Sequence, residues 1–395
     1  MDIPAGLKNI SIEKILIKEN AGAELREFIA ANFRGARGCR ICDFNTEPFL
    51  RDYCDAAALE LGAYHADEYM LEAYDALVRD KNYDYFIACG AGTIHDITRV
   101  IAHEYSKPFI SFPTAASCDG FVSNIAPVTT KSGMKITLPA VAPVAVFADT
   151  NIIANAPQRL TNAGIGDLVG KFIALTDWRI ANLLIGEEID KDIVDIVFNA
   201  VLGAIHFWYY QAGSIGEAVP KLLEALLLSG LCMQSMGNSR PASGAEHHIA
   251  HFLEMDIFGK NNNLHGENVA VGAALCHGLY NKIFNSDNIK FIGNYELDEE
   301  LIKKYYGGLS DYIIKENQPA YLHKITPEIF YKNLGEIKKI IGETALYQDI
   351  PYIVSKISDG GFADAQCEPL LLKLAPYVRN RFTLLKLCRC LDINE

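Results

Sequence analysis

Over the first 150 or so residues, short apolar runs alternate with stretches whose apolar positions recur at helical spacing. Cys39-Arg40-Ile41-Cys42 reads as a strand ending at Asp43, and the segment from Glu47 to about Leu61 reads as helical. A second helical pattern, Ala66 to Arg79, leads to the aromatic-rich strand Tyr83 to Cys89. Ile97 to Tyr105 reads helical again, and Pro108 to Phe112 is the next strand, closed by Pro113. Val144 to Ala148 is a further buried strand, opened by Pro143, where a missing N–H does least harm, and ended by Asp149. Strands alternating with helices of this length predict βαβ units and a parallel sheet. After Asn151 the texture changes. From Ala163 onward the apolar residues keep helical spacing, with Leu223, Leu226, Leu227 and Leu231 on one face and Phe330, Leu334, Ile337 and Ile341 on another. The pattern predicts an α/β N-terminal domain over residues 1–160 and an all-helical C-terminal domain over 161–395, with the active site in the interdomain cleft.

Composition narrows the class. Of 395 residues half are hydrophobic and 22% are charged, which excludes a disordered, collagen-like or disulfide-scaffold chain. A formal charge of -13 argues against a nucleic-acid binder or a membrane-surface protein. An anionic small substrate stays compatible, because the local field of a pocket can oppose the net charge. The ten cysteines are dispersed; Cys39 and Cys42 have CxxC spacing, but no second CxxC follows at zinc-ribbon distance. Reduced thiols of a cytoplasmic protein are the expectation. The N-terminal MDIPAGLKNISIEKILI lacks the uninterrupted apolar core of a signal peptide. Leu222 to Met236, the most apolar stretch, is broken by Glu224, Ser229, Gly230 and Gln234 and is too short to span a bilayer, so no membrane insertion is expected.

Two segments of the α/β half carry candidate chemistry. Gly90-Ala91-Gly92-Thr93-Ile94-His95-Asp96 lies between a strand and a helix, where glycines admit a phosphate to the backbone and free N–H groups favour negative charge. It is not a G-x-G-x-x-G fingerprint, since His95 occupies the third glycine position, and a plain tight turn explains it equally well. Asp43 is placed to accept from a ribose hydroxyl, or to cap a turn. Phe112 to Ser123 runs from a strand into small and hydroxyl residues at the carboxyl edge of the sheet, where open α/β sheets bind ligands. There Thr114, Ser117 and Ser123 are candidate cofactor contacts and Asp119 a candidate for a substrate hydroxyl; a Ser/Thr-rich turn is the bland alternative.

The sharper signal lies in the helical half. Glu246-His247-His248-Ile249-Ala250-His251 sets His247 and His251 four apart on one helix face, and His265 follows in Leu264-His265-Gly266-Glu267-Asn268. Such a cluster reads as a metal or acid–base site, with His248 turned about a hundred degrees away from His247. A catalytic metal keeps three protein ligands and an open position. The best third ligand is Asp167 in Gly164-Ile165-Gly166-Asp167-Leu168-Val169-Gly170-Lys171, although alone it reads as the N-cap of a helix-starting segment.

The ordered motifs GAGTIHD, PTAASCDGFVS, GIGDLVGK, SRPASGAEHHIAH and LHGEN resemble those of the sn-glycerol-1-phosphate dehydrogenases, bacterial type. That family shares a fold with glycerol dehydrogenases, iron-type alcohol dehydrogenases and dehydroquinate synthases. The likeness runs from about Asp43 to Gly272 and departs from the fold-wide GGG motif at Ala91. It implies a Rossmann-like parallel sheet and reversible reduction of dihydroxyacetone phosphate to sn-glycerol 1-phosphate, feeding glycerophospholipid or ether-lipid synthesis. The implied cofactors are NAD(H) or NADP(H) and one divalent metal per subunit, Zn or Ni, with Fe as a further option. It makes Gly92, Thr93, Ile94, His95, Asp96, Thr114, Ala115, Ala116, Ser117 and Ser123 cofactor contacts, with Asp43 at the adenosine part. Asp167, His247 and His265 would hold the metal, and Asp119, Asp167 and His251 would bind substrate. Asp167 and His251 would be catalytic: the metal polarises the ketone oxygen and His251 relays a proton. Arg240, Ser239, Lys131 and Lys135 are candidates for the substrate phosphate. A homo-oligomer is implied, a dimer first, with a small-molecule substrate and no nucleic-acid partner.

Three rival readings stay open at this level. Glycerol dehydrogenase chemistry uses the same fold on an unphosphorylated polyol. A dehydroquinate-synthase-like cyclase would carry more basic residues and Glu at the position of Asp167. A non-enzymatic nucleotide binder with a structural metal would need a closed four-ligand cage, usually with cysteine, and no Cys lies between His247 and His265.

Overall fold

Strands that are apolar on both sides need cover on both faces, and helices supply it here. A computed structural model describes residues 1–53, 55–59, 65–293, 297–318, 321–345, 350–357 and 368–394. In chain order the first elements are β1 (Lys14–Lys18), α1 (Ala21–Asn32), β2 (Gly38–Asp43), β3 (Asp55–Leu59), α2 (Glu68–Val78), β4 (Tyr85–Gly90), α3 (Gly92–Glu104) and β5 (Phe109–Pro113). They are followed by β6 (Ile125–Thr129), β7 (Lys135–Pro139), β8 (Ala145–Asp149), α4 (Thr150–Ala154), α5 (Gln158–Ile185) and α6 (Lys191–His206). Then come α7 (Ile215–Met236), α8 (Ala245–Glu254), α9 (His265–Asn285), β9 (Asn288–Phe291), α10 (Glu299–Tyr306), α11 (Ser310–Glu316), α12 (Pro327–Glu343), further short helices and β10 (Leu391–Asn394).

Six strands form one parallel sheet in the order β1-β8-β5-β4-β2-β3. Along β4 the side chains alternate between two cores, as a strand's two-residue period requires. Phe86 and Ala88 join Tyr74, Ile94, Ile97 and Ile101 from α2 and α3. Tyr85, Ile87 and Cys89 join Ala21 and Leu25 from α1. The same alternation settles the CxxC question: Cys39 belongs to the first core and Cys42 to the second, on opposite faces. Eight cysteines are free, while Cys54 and Cys367 lie outside the described residues. From β2 the chain moves outward to β3, then returns past β2 to β4, so the strand order reverses between β2 and β4. Open parallel sheets bind ligands at the carboxyl edge of such a switch point.

The chain divides into two compact units, Met1–Ile165 with Asn199–Asn238, and Gly166–Phe198 with Ser239–Glu395. The division expected once near residue 160 is therefore crossed again, because α7 packs back on the first unit. A Cβ at Gly230 of α7 would lie 2.4 Å from the Asp119 carbonyl and 2.5 Å from Val122, so only a glycine admits that approach. The second unit is mostly helical, as expected, with one small antiparallel pair, β9 with β10.

Three local expectations change. The helix expected from Glu47 to Leu61 is a run of turns followed by strand β3, part of it outside the described residues. Ala56, Ala57 and Ala58 favour helix as isolated residues, but pairing with Arg40, Ile41 and Cys42 of β2 overrides that preference. β1, α1 and the β6–β7 hairpin had not been anticipated from the pattern. Finally, among the described residues one helical run, Lys191–Gln211, is long and apolar enough to cross a membrane by length and composition, a stretch the sequence pattern did not single out. Ile193, Val197, Val201, Ala204 and Ile205 are buried along it at helical spacing, the one-sided packing of a helix docked on protein.

Candidate active site

In the first unit, the carboxyl ends of β2, β4 and β5 bring the cofactor candidates to one edge. Gly90 pairs in register with Pro113, and the Thr114 N–H donates to the Gly90 carbonyl at 3.1 Å. Helix α3 begins immediately, at Gly92, with Ala91 as an N-cap whose side chain makes no cap. Its first N–H groups therefore point outward without an internal acceptor, the arrangement that receives a phosphate. A Cβ at Gly92 would lie 2.7 Å from Cys118 Sγ, so a larger residue there requires the Cys118 side chain to turn away.

The segment Gly92 to Asp96 does not act as a block. Gly92, Thr93 and Asp96 are half-buried, whereas Ile94 and His95 face the core. The His95 ring is engaged at both nitrogens, with Nε2 2.8 Å from Ser111 Oγ and Nδ1 3.0 Å from the Ala91 carbonyl. Burial holds it neutral, with its pKa lowered to about 3. Thr114, Ala115, Ala116 and Ser117 are all buried along the loop after β5. Ser123 Oγ donates to the Ile125 carbonyl and accepts from the Ile125 N–H, closing a local turn. Asp119 is buried and accepts from Ser229 Oγ of α7 at 2.8 Å. Asp43 Oδ1 accepts from the N–H groups of Asn45 and Thr46 at 2.7 and 2.8 Å, a turn that orients the carboxylate and leaves Oδ2 outside these bonds.

In the second unit, α5, α8 and α9 assemble the histidine cluster. Asp167 is not a helix N-cap. It sits well inside α5, and the glycines around it serve close packing instead. A Cβ at Gly166 would lie 2.2 Å from the Gly266 carbonyl of α9, and one at Gly170 would lie 2.4 Å from Val269. Asp167, His247 and His265 converge so that one donor atom from each lies within 4.8 Å of the others. Asp167 Oδ1 and His247 Nε2 are 3.7 Å apart. Ligands of a tetrahedral zinc, at bonds of about 2.0–2.2 Å, stand roughly 3.4 Å from one another. A carboxylate and two imidazoles at this spacing fit a divalent ion. Burial pushes the His247 pKa well below its usual value, so the ring is in the neutral form a metal requires.

His251 stacks on His265, ring centroids 5.7 Å apart, and sits edge-on to His247 at 5.9 Å. The four-residue spacing thus brings both α8 histidines to one place, while His248 is buried on another side of the helix, as expected. Three charged neighbours escaped the sequence reading. Lys171 Nζ donates to Asp167 Oδ1 at 2.6 Å, the Glu246 carboxylate lies against His247, and that of Glu254 against His265. Lys171 follows Asp167 by four positions, a signal visible only once Asp167 is known to be helical. Burial next to Asp177 raises the Glu246 pKa to about 8.

The phosphate candidates fare differently. Arg240 is buried, with Nε 2.7 Å from Glu187 and one terminal nitrogen donating to the Asp177 carbonyl. Ser239 Oγ accepts from Arg381, and Lys131 pairs with Glu72 on the surface. Lys135 is buried on β7.

Residues 48–157 match the family model of iron-containing alcohol dehydrogenases. The glycerol-1-phosphate dehydrogenase (NAD(P)+) of Bacillus velezensis is 37% identical over 318 residues, covering 76% of this chain and 79% of the relative. The enzyme of the same name from Pyrococcus abyssi is 32% identical over 323 residues, covering 81% of this chain and 87% of the relative. Among solved structures, the iron-containing alcohol dehydrogenase of Thermotoga maritima matches with a TM-score of 0.60 at 12% identity, over 95% of this chain and 96% of that one. At that identity the likeness concerns the fold alone.

Proposed function

The chain belongs to the glycerol-1-phosphate dehydrogenase family, an NAD(P)-dependent oxidoreductase family, and on that premise we propose how its residues divide the work. The substrate pair is dihydroxyacetone phosphate and sn-glycerol 1-phosphate, the supply of a lipid backbone. The observation that carries this reading is the convergence of Asp167, His247 and His265 donor atoms within 4.8 Å. Bound there, a divalent metal supplies Lewis-acid polarisation of the ketone oxygen, while the reduced nicotinamide supplies the hydride.

The chain's own groups bind, orient and move protons. The uncapped start of α3, at Gly92 and Thr93, receives the cofactor's pyrophosphate, and the loop Thr114 to Ser117 lines the same edge of the sheet. Asp43, with Oδ2 outside its own turn, accepts from the adenosine ribose. A carboxylate there repels a 2′-phosphate, which favours NADH over NADPH. Asp119, held by Ser229, accepts from a substrate hydroxyl. His251, stacked on His265, moves the proton between the product oxygen and water. Zinc, nickel and iron all suit an Asp/His/His set. The family resemblance also carries the expectation of a cytoplasmic homo-oligomer, a dimer first.

Chelation tests the metal role. Dialysis against EDTA is expected to abolish NADH-dependent reduction of dihydroxyacetone phosphate, and Zn, Ni or Fe added back should restore it. His247→Ala should lose both bound metal and turnover. Full activity in metal-free protein, or stoichiometric metal in the variant, contradicts the assignment.

A further inference from the structure

The two histidine ligands have buried carboxylates at their far nitrogens. His247 Nδ1 lies 2.7 Å from Glu246 Oε1, and His265 Nδ1 lies 2.6 Å from Glu254 Oε1. The Gly244 N–H also donates to Glu246 Oε1, at 2.8 Å, so that oxygen is an acceptor and the ring proton sits on Nδ1. We propose that Glu246 and Glu254 are positioning residues of the metal centre. Each fixes one histidine in the Nδ1–H tautomer, with Nε2 aimed at the metal. The inference rests on the ligand reading of Asp167, His247 and His265 given above.

The surroundings of Glu246 support a built site. Its side chain is fully buried, and Oε2 has no hydrogen-bond partner among the described residues. A carboxylate so placed costs stability unless it serves a partner, since an apolar side chain of similar size would fill the space at less cost. Two glycines make room for its side chain, and a third lets α9 approach its backbone. A Cβ at Gly244 would lie 2.9 Å from Glu246 Oε2, one at Gly170 3.1 Å from Cγ, and one at Gly272 2.4 Å from its carbonyl oxygen. Glu254, also buried, is the last residue of α8 and reaches His265 at the first position of α9. One helix thus supplies a ligand, the neighbour that orients it, and the group that orients a ligand on the next helix. Carboxylates in this relation to a metal-binding imidazole set its tautomer and ring direction and raise its basicity.

The test is metal affinity of the full-length apoprotein, read by competition with a chromophoric chelator for Zn2+ and Co2+, together with the visible spectrum of the Co2+ form. Glu246→Ala and Glu254→Ala are expected to bind each metal about 10–100-fold more weakly than wild type and to shift the Co2+ bands. Glu246→Gln and Glu254→Gln keep an acceptor oxygen and should recover most of the affinity, which separates orientation from simple loss of fold. Ala variants that retain wild-type affinity and an unchanged Co2+ spectrum overturn the proposal. So does an Ala variant that weakens metal binding with no recovery in its Gln counterpart when both are folded by circular dichroism. Wild-type protein that binds no metal, or His247→Ala that binds like wild type, overturns the ligand reading beneath it.

Discussion

A basic residue just ahead of the histidine helix invites a role with an anionic substrate, and Arg240 shows what decides such cases. Its guanidinium is buried, paired with Glu187 and bonded to the Asp177 carbonyl, so it holds structure together. Asp177, fully buried, in turn accepts from the Ala245 and Leu384 N–H groups and from Tyr280, fixing the start of α8 from inside. Arg240→Met should therefore lower stability by roughly 2 kcal/mol, less than for a fully buried pair because Glu187 is partly exposed. The KM for dihydroxyacetone phosphate should stay within about twofold of wild type. Urea titration and steady-state kinetics check both halves. A large KM increase at unchanged stability would return Arg240 to the phosphate site.

At the scale of elements, the helices α5, α8 and α9 meet through glycine, and a pair of glycines on α9 makes the point testable. A Cβ at Gly272 would lie 2.4 Å from the Glu246 carbonyl oxygen, whereas one at Gly278 meets nothing within 4 Å. Gly272→Ala should destabilise by about 1–3 kcal/mol or more through overpacking, and should weaken metal binding. Gly278→Ala should instead stabilise by about 0.4–1 kcal/mol, by restricting the unfolded chain. Thermal melts that move in the same direction for both variants contradict this packing. The same glycines explain what was legible beforehand. The clustered histidines, the order of motifs and the strands β2, β4, β5 and β8 can be read locally from period and spacing. Asp167 can be singled out as a metal candidate from the sequence, yet its placement at a helix start comes from reading Gly164 and Gly166 as breakers, whereas it lies inside α5. Their Cβ-less surfaces matter only against partners elsewhere in the chain, Ala116 for Gly164 and Gly266 for Gly166. The partners Glu254 and Lys171 were invisible for a related reason: their meaning depends on which helix faces which. Strand β3 likewise becomes a strand only by pairing with β2.

Across the whole molecule the formal charge is -13, so on the proposed reading the local fields at the start of α3 and at the Asp167, His247 and His265 cluster must oppose it. Acid response follows from groups buried neutral. The His95 pKa is lowered to about 3 by burial, against about 6.5 in an unfolded chain. Between those values the unfolded chain binds a proton that the folded chain does not, so the stability present above pH 6.5 is lost as pH falls towards 3. The slope for this one group approaches about 1.4 kcal/mol per pH unit below 6.5. His95→Gln should therefore lose less stability than wild type between pH 7.0 and 5.5, by on the order of 1 kcal/mol in urea titrations. Equal losses would show that His95 takes up a proton in the folded state.

The most direct test of the assigned reaction is the product itself. Metal-loaded protein is given NADH with dihydroxyacetone phosphate, and in parallel with dihydroxyacetone, and the product's configuration is determined with an enzyme specific for sn-glycerol 3-phosphate. The expected result is turnover of the phosphorylated ketone in strong preference to the free one, with a product that this enzyme does not oxidise. Formation of sn-glycerol 3-phosphate, preference for dihydroxyacetone, or no NADH consumption at all contradicts it.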